Sequence, residues 1–195
     1  MDPKIPFVIA TLFLFCSTAR AQVFVAGLAG TAALSGKSAI RATPPAAANY
    51  DPRVGPAANF AVGYHFNDWV SAQAGYIWNR NLLTTTQLAG TALSTSQDTL
   101  TQSAFAFDTM LYFRPRESHL RPYLSVGPAV VSLLDEHHAG LRVAVGIDIS
   151  PRKGWALRYS FSEMMSANPF AARLSPPASG GLMNFQNLFG VVKSF

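Results

Sequence analysis

The stretch GLRVAVGIDIS, residues 140–150, decides the fold, because apolar residues alternate in it with small or charged ones. One parity holds only aliphatic residues, Leu141, Val143, Val145, Ile147 and Ile149; the other holds Arg142, Ala144, Gly146 and Asp148. A period of two indicates a β-strand with two unlike faces. Two structures fit this pattern. In a soluble sandwich the aliphatic face is the core, whereas in a membrane barrel it meets lipid and the charges occupy the lumen.

Seven further segments show the same alternation, and no segment has a helical period of useful length. They span residues 22–30, 58–66, 69–78, 104–113, 121–131, 155–162 and 183–195. A tilted membrane strand needs about 9–11 residues, which is close to the length of most of these segments. The sequence therefore predicts an all-β chain of eight strands. If these strands close into an antiparallel barrel, the first must pair with the last, because lipid cannot satisfy an open sheet edge.

The connections between these segments alternate in length. Short ones lie at residues 67–68, 114–120 and 150–154, and the opposite end has long polar ones at 31–57, 79–103 and 165–182, with 135–139 as a short exception. Short turns at one end and long loops at the other are typical of outer-membrane barrels. Since loops carry function more often than scaffold strands, the long ones at 31–57 and 79–103 are predicted to contact an extracellular ligand.

Aromatic residues mark both ends of the predicted strands and favour the membrane interpretation. Rings at strand ends are typical of the girdles that meet lipid headgroups. Those beside the short turns are Trp69, Phe113 and Trp155, and Trp78 ends the third segment on the other side.

The other face of the predicted strands is made of Ala, Gly and Ser with isolated charges. We predict that these charges, Asp108, Arg142, Asp148 and Arg158, form a network in the lumen. Asp148 and Arg158 flank one short turn, so neighbouring strands would bring them within salt-bridge range. Eight strands enclose barely enough room for side chains, so we expect a plugged lumen. The alternative is a narrow polar path for small solutes.

The first 21 residues are predicted to be a secretory signal peptide. Lys4 precedes an apolar run at residues 5–15, and Ala19-Arg20-Ala21 offers small residues to a signal peptidase. Eleven apolar residues are too few for a membrane-spanning helix. Cleavage after Ala21 would leave a domain of residues 22–195 and remove Cys16, the single cysteine of the chain, together with any disulfide chemistry.

Composition excludes two further classes of protein. The formal net charge is +5, but the basic residues are scattered instead of forming the stripe that nucleic-acid binding requires. After residue 21 no run of eighteen apolar residues occurs, which excludes a helical membrane protein.

No motif predicts catalysis, a metal or a cofactor. Four histidines and the group Ser160, Ser162 and Glu163 could supply a base and a nucleophile, yet no spacing links them and the G-x-S-x-G elbow is absent. The four adjacent residues DEHH, 135–138, do not by themselves make a preorganised metal site. A non-enzymatic protein without a cofactor is predicted; a lipid-modifying enzyme is the alternative.

A signal peptide, eight amphipathic strands, alternating turns and loops, and a terminal aromatic resemble the small outer-membrane β-barrel superfamily. That superfamily includes the OmpA-type transmembrane domain and its OmpX- and OmpW-like relatives, and the resemblance covers residues 22–195. It implies export through the Sec pathway, handling by periplasmic chaperones, and a monomeric barrel surrounded by outer-membrane lipid.

The chain end also fits this resemblance in part. In the superfamily a terminal Phe is read by the barrel-assembly machinery, and Phe195 matches it. Lys193 departs from the apolar residue often found two positions earlier; its amine could snorkel to the interface. A soluble lipocalin-like lipid binder is the remaining alternative.

Overall fold

The computed structural model describes residues 22–35, 38–41, 46–89, 92–167 and 181–195; the predicted signal peptide lies outside them. Within these residues no helix is long and apolar enough to cross a membrane. The described strands are β1 (Gln22–Leu34), β2 (Ser38–Arg41), β3 (Ala46–Pro52), β4 (Gly55–His65), β5 (Val70–Ala89), β6 (Ala92–Tyr112), β7 (Leu120–Leu133), β8 (Glu136–Arg152), β9 (Trp155–Ala167) and β10 (Gly181–Ser194).

Eight of these strands form a closed antiparallel ring, as predicted. β1 pairs with β4 on one side and with β10 on the other, and the remaining neighbours follow chain order. The predicted pairing of the first strand with the last is confirmed, with Ala26 opposite Val192 and Gly30 opposite Leu188. β2 and β3 lie outside the ring and extend the sheet along the upper part of β5.

The ring has a definite stagger. The stagger is found by starting at Ala33 on β1 and moving from each residue to its partner on the next strand. One circuit of the ring ends at Val23, ten residues earlier on β1. The residues paired in turn are Ala33, Phe185, Glu163, Val143, Val126, Thr109, Ala72, Tyr64 and Val23. Stagger and strand number together fix the tilt and the diameter, and eight strands leave an interior that side chains can fill.

The polarity of this ring is the reverse of that in a soluble protein. On the outer face, Val145 is 49% exposed and Phe161 37% exposed, whereas Arg158 on the inner face is 1% exposed. Arg142, Asp148 and Asp108 are also buried inside. An apolar exterior around a polar interior is the arrangement that a lipid solvent requires, and it excludes the soluble sandwich.

The predicted long loops are largely strands, so that part of the prediction is wrong. Residues 79–89 and 92–103 continue β5 and β6 as a paired hairpin, with pairs from Asn79 opposite Gln102 to Ala89 opposite Ala92. Most of 31–57 lies in β1, β2, β3 and β4, and β9 reaches Ala167, although 168–180 lie outside the described residues. Beyond the membrane a strand needs no apolar face, so Thr-rich strands form without apolar alternation.

Three tight turns join neighbouring strands of the ring. Those after β4 and between β8 and β9 lie at the short-turn end, and the one between β7 and β8 lies at the opposite end. In the turn after β4, the Asn67 side-chain oxygen accepts hydrogen bonds from the backbone N–H groups of Trp69 (2.8 Å) and Val70 (2.7 Å). Between β7 and β8, Leu134 and Asp135 have φ values of 52° and 64°, and Gly154 between β8 and β9 has φ 76°. Left-handed residues suit two-residue hairpins, because their twist matches that of the strands.

Candidate functional site

The lumen contains a compact cluster of charges near the short-turn end. Asp148 and Arg158 lie directly opposite each other on β8 and β9. The guanidinium donates to both carboxylate oxygens, from Nε to Oδ1 at 2.6 Å and from Nη2 to Oδ2 at 2.7 Å. The hydroxyl of Tyr112 accepts from Arg158 Nη2 (2.9 Å) and donates to Asp148 (3.1 Å). Such bidentate, charge-assisted contacts are among the strongest hydrogen bonds in proteins.

Aromatic rings surround the two arginines of this end. The guanidinium carbon of Arg158 lies 4.9 Å from the centre of the Tyr123 ring, and that of Arg121 lies 3.8 Å above Tyr112. Arg121 also donates to the backbone carbonyl of Asp68 at 2.9 Å. Ring faces stabilise cations that have lost their water, so these contacts help to hold buried charge.

A second ion pair lies higher in the lumen and is connected to the first. Arg142 contacts Asp108, and the Gln73 amide donates to the same carboxylate at 2.9 Å. The side-chain oxygen of the same Gln73 amide accepts a hydrogen bond from Arg158 Nη1 at 3.4 Å. The structure thus joins all four lumen residues named from the sequence through Gln73. Among these four residues two cations face two carboxylates, and Arg121, directly opposite Asp148 on β7, adds a third buried cation beside them.

Sequence reasoning missed Gln73 and Tyr112 as members of this network. Both lie on the inward parity of predicted strands, so parity could have placed them inside. Their role was hidden because a neutral side chain between two ion pairs has no sequence motif.

The end of the lumen away from the short turns contains amides and then leucines. Asn184 donates to Asn79 (2.9 Å) and contacts Gln102, and Asn79 donates to Asn81 (2.7 Å). Beyond them five leucines form a buried cluster, hereafter the leucine plug: Leu34, Leu83, Leu100, Leu133 and Leu182. Leu83 and Leu100 fall in a segment predicted to be a loop, so this plug could not be predicted from the sequence. Charged, amide and leucine side chains thus follow one another inside the ring from the short-turn end to the opposite end.

Two contacts between histidine and serine side chains occur among the described residues, and neither forms a triad. His65 Nδ1 lies 2.5 Å from Ser71 Oγ in the lumen, and His137 Nδ1 lies 2.7 Å from Ser132 Oγ on the outside. In the part of the chain that the structure describes, no carboxylate bonds to either histidine. The same residues contain no group of three potential metal ligands in reach of one ion.

The outer wall carries the aromatic residues named from the sequence. Trp69, Phe113 and Trp155 are exposed at the short-turn end, and Trp78 is half-buried on the outer face towards the other end. Lys193 lies on this wall too, with its ammonium nitrogen 4.9 Å from the centre of the Trp155 ring. This contact gives the amine a partner beside the girdle, at the position where the terminal sequence departs from the superfamily.

Comparisons with known proteins agree with this architecture. The family model described as "Outer membrane protein beta-barrel domain" matches residues 7–187. A comparison with curated protein sequences finds no match. Among solved structures, Neisserial surface protein A (NspA) is similar with a TM-score of 0.62 and 16% identity, covering 90% of this chain and 99% of that one.

Two further structures are similar over nearly the whole chain. OprG from Pseudomonas aeruginosa has a TM-score of 0.59 and 13% identity, with 91% of this chain and 96% of that one covered. AlkL, determined in DMPC bilayers, has a TM-score of 0.54 and 13% identity, with 91% of each chain covered. At these identities the likeness concerns the fold. Taken with the family match, it shows that the chain belongs to the outer membrane protein β-barrel domain family and is a small outer-membrane β-barrel protein.

Proposed function

We propose that this protein is a non-enzymatic barrel with a closed lumen that holds a projecting hairpin at the cell surface, where the hairpin contacts an extracellular ligand. The observation that carries the proposal is the contrast between the two parts. The lumen is filled by paired charges and the leucine plug, whereas the hairpin of β5 and β6 extends far beyond the ring.

The hairpin offers a polar surface that nothing within the ring covers. On β6, residues 94–99 are all exposed, and β7 pairs with β6 only from Gln102 onward. On the other side, β3 pairs with residues 83–89 of β5 and broadens the hairpin into a small sheet. Hydroxyl and amide side chains on a projecting sheet suit contacts with a polar ligand, since surface segments held by a rigid scaffold commonly bind.

Export and assembly complete the proposal. Residues 1–21 direct the chain through the Sec pathway, periplasmic chaperones escort it, and the assembly machinery reads Phe195. The exposed Phe195 ring at the end of β10 supports this role, and its backbone N–H donates to the Val23 carbonyl at 3.0 Å. Outer-membrane lipid then surrounds the apolar wall of a monomeric barrel.

Planar-bilayer recordings of the purified protein are expected to show no steady conductance. The paired charges and the leucine plug leave no continuous aqueous path, and an eight-stranded barrel is narrow. An open porin reconstituted in the same membranes serves as the positive control. Stable single-channel steps from monomeric protein would instead support the narrow-pore alternative.

Shortening the hairpin is expected to abolish surface binding without affecting the barrel. Residues 84–97 are replaced by Asn-Gly, which closes the β5–β6 pair at Leu83 and Asp98 with a favoured two-residue turn. A bacterial strain lacking other adhesins should adhere severalfold better to cultured cells when it produces the intact protein. The shortened form should return adherence to background, because the polar sheet is gone.

Surface amounts of both forms are compared by labelling, with Thr99→Cys, an exposed position that the shortened form retains, as the reporter and Lys153→Cys as the control at the opposite end. On whole cells a membrane-impermeant maleimide should label Thr99→Cys in both forms and should not label Lys153→Cys. Adherence that survives the shortening would show that the hairpin is not the binding element. Adherence at background for the intact protein would refute the surface-interaction function.

A further inference from the structure

The outer wall has a groove between β10, β1 and β4. Its floor consists of Gly27, Ala29 and Ala58, and aromatic rings of Phe60, Trp78 and Phe189 border it. The cavity measures about 610 Å³, within the range of small-molecule pockets. A Cβ atom added to Gly27 would meet no atom within 4 Å, so the protein itself leaves this space unfilled.

Polar side chains lie at the upper end of this groove. Thr31 follows Ala29 on the same face of β1, and Asn187 of β10 is directly opposite Thr31. The Tyr159 hydroxyl donates to the Asn187 side-chain oxygen at 2.9 Å. Glu163 of β9 lies diagonally across from Asn187 on the outer face, half-buried and without a hydrogen-bond or ion-pair partner among the described residues.

These polar groups lie at the depth of the hydrocarbon, in the extracellular half. Val23 is paired with Tyr64 of β4 near the short-turn end of the ring, and Thr31 is eight residues further along β1. With a rise near 3.3 Å per residue and a strand tilt near 40°, this places Thr31 roughly 20 Å above that end. The apolar band of such barrels is about 25 Å tall. Polar residues in lipid are costly and usually serve binding, so a partner with complementary groups is expected.

We propose that the groove binds the lipid A part of a lipopolysaccharide molecule from the outer leaflet. One acyl chain lies over Gly27 and Ala29, and the polar groups at the base of the chains pair with Asn187 and Glu163. Tyr159 occupies the Asn187 oxygen, so the amide nitrogen remains free to donate. The Glu163 carboxylate requires donors.

The candidate lipids of the two leaflets, lipid A and the glycerophospholipids, differ in the polar groups at the base of their acyl chains. Lipid A carries amide N–H groups and 3-hydroxyl groups at the base of its acyl chains, and both can donate to a carboxylate. Glycerophospholipids have ester linkages there, which only accept. A carboxylate in this position therefore fits lipid A.

The test measures lipid binding to the purified, folded barrel in detergent by native mass spectrometry, with purified lipid A as the probe. We expect one lipid A per barrel for the natural sequence. Gly27→Leu, which fills the groove, and Asn187→Leu, which removes the amide, should each weaken binding at least tenfold. Ala74→Leu is the matched control, since Ala74 lines a different depression on the wall and should leave binding unchanged.

Two further measurements distinguish specific recognition of lipid A from nonspecific binding of any lipid to the apolar wall. Tyr159→Phe should weaken lipid A binding severalfold, because it frees the Asn187 side chain to turn away. Dimyristoyl phosphatidylethanolamine should bind at least tenfold more weakly than lipid A, and equal binding would overturn the lipid A assignment. Unchanged affinity of Gly27→Leu, with normal heat-modifiable gel migration, would overturn the groove itself.

Discussion

Replacing Arg158 by alanine should destabilise the folded barrel by about 3–5 kcal/mol, the cost expected when one partner of a buried ion pair is removed. Arg158 makes two hydrogen bonds to Asp148 and one to the Tyr112 hydroxyl. Without it, the Asp148 carboxylate stays inside the lumen, and its neighbours among the described residues are the Tyr112 hydroxyl, which donates to it, and Arg121, directly opposite on β7. The free energy of unfolding is measured by urea titration of the barrel in lipid vesicles, followed by tryptophan fluorescence.

Two variants define what the Arg158 result means. Arg152→Ala removes an exposed arginine at the end of the same hairpin and should change stability by less than about 0.5 kcal/mol. The pair Arg158→Met with Asp148→Leu removes both charges and should cost less than Arg158→Ala alone, since no carboxylate is left inside the lumen without Arg158. A loss for Arg158→Ala no larger than that for Arg152→Ala would show that the lumen is wet and the pair dispensable.

Replacing Val145 by arginine should destabilise the barrel by about 2–4 kcal/mol, because an arginine on the lipid face near the bilayer midplane loses its water. Val145 is exposed on the outer wall of β8, opposite Phe161. Four residues along the strand, Ile149 is equally exposed and lies beside the aromatic girdle at the short-turn end. Ile149→Arg should cost only about 0–1 kcal/mol, since its guanidinium can reach the headgroups.

The two variants introduce the same residue, arginine, on the same face of the same strand. They differ in the depth of the substituted position in the membrane. Both variants are unfolded by urea in vesicles of the same lipid. Equal costs for Val145→Arg and Ile149→Arg, or a larger cost at Ile149, would contradict immersion of this wall in a bilayer.

The membrane-spanning part of the fold could be predicted because lipid constrains every second residue. In residues 141–149 of β8 and 155–161 of β9 the apolar parity is unbroken, so the sequence locates the strands and their pairing, and with them the Asp148–Arg158 contact. The parity also predicts which residues turn inward, and the buried Arg142 and Asp108 follow from it.

Outside the membrane that constraint is absent, and the predictions weaken accordingly. Residues 84–89 and 92–101 form paired strands, and their sequence is mostly polar, so no apolar alternation marks them. The leucine plug combines residues from several strands whose positions depend on the stagger of the ring. The groove is equally hidden, because it arises where Gly27, Ala29 and Ala58 from two paired strands meet.

The long β5–β6 pair has one more consequence. Both strands run without interruption in the described residues from the short-turn end to the edge of the tip. The hairpin is therefore a stiff continuation of the barrel wall. A stiff element has little conformational freedom left to lose when it is captured. Its association should therefore carry a small ordering entropy, and affinity should fall if glycines inserted near Asn81 and Leu100 loosen its base.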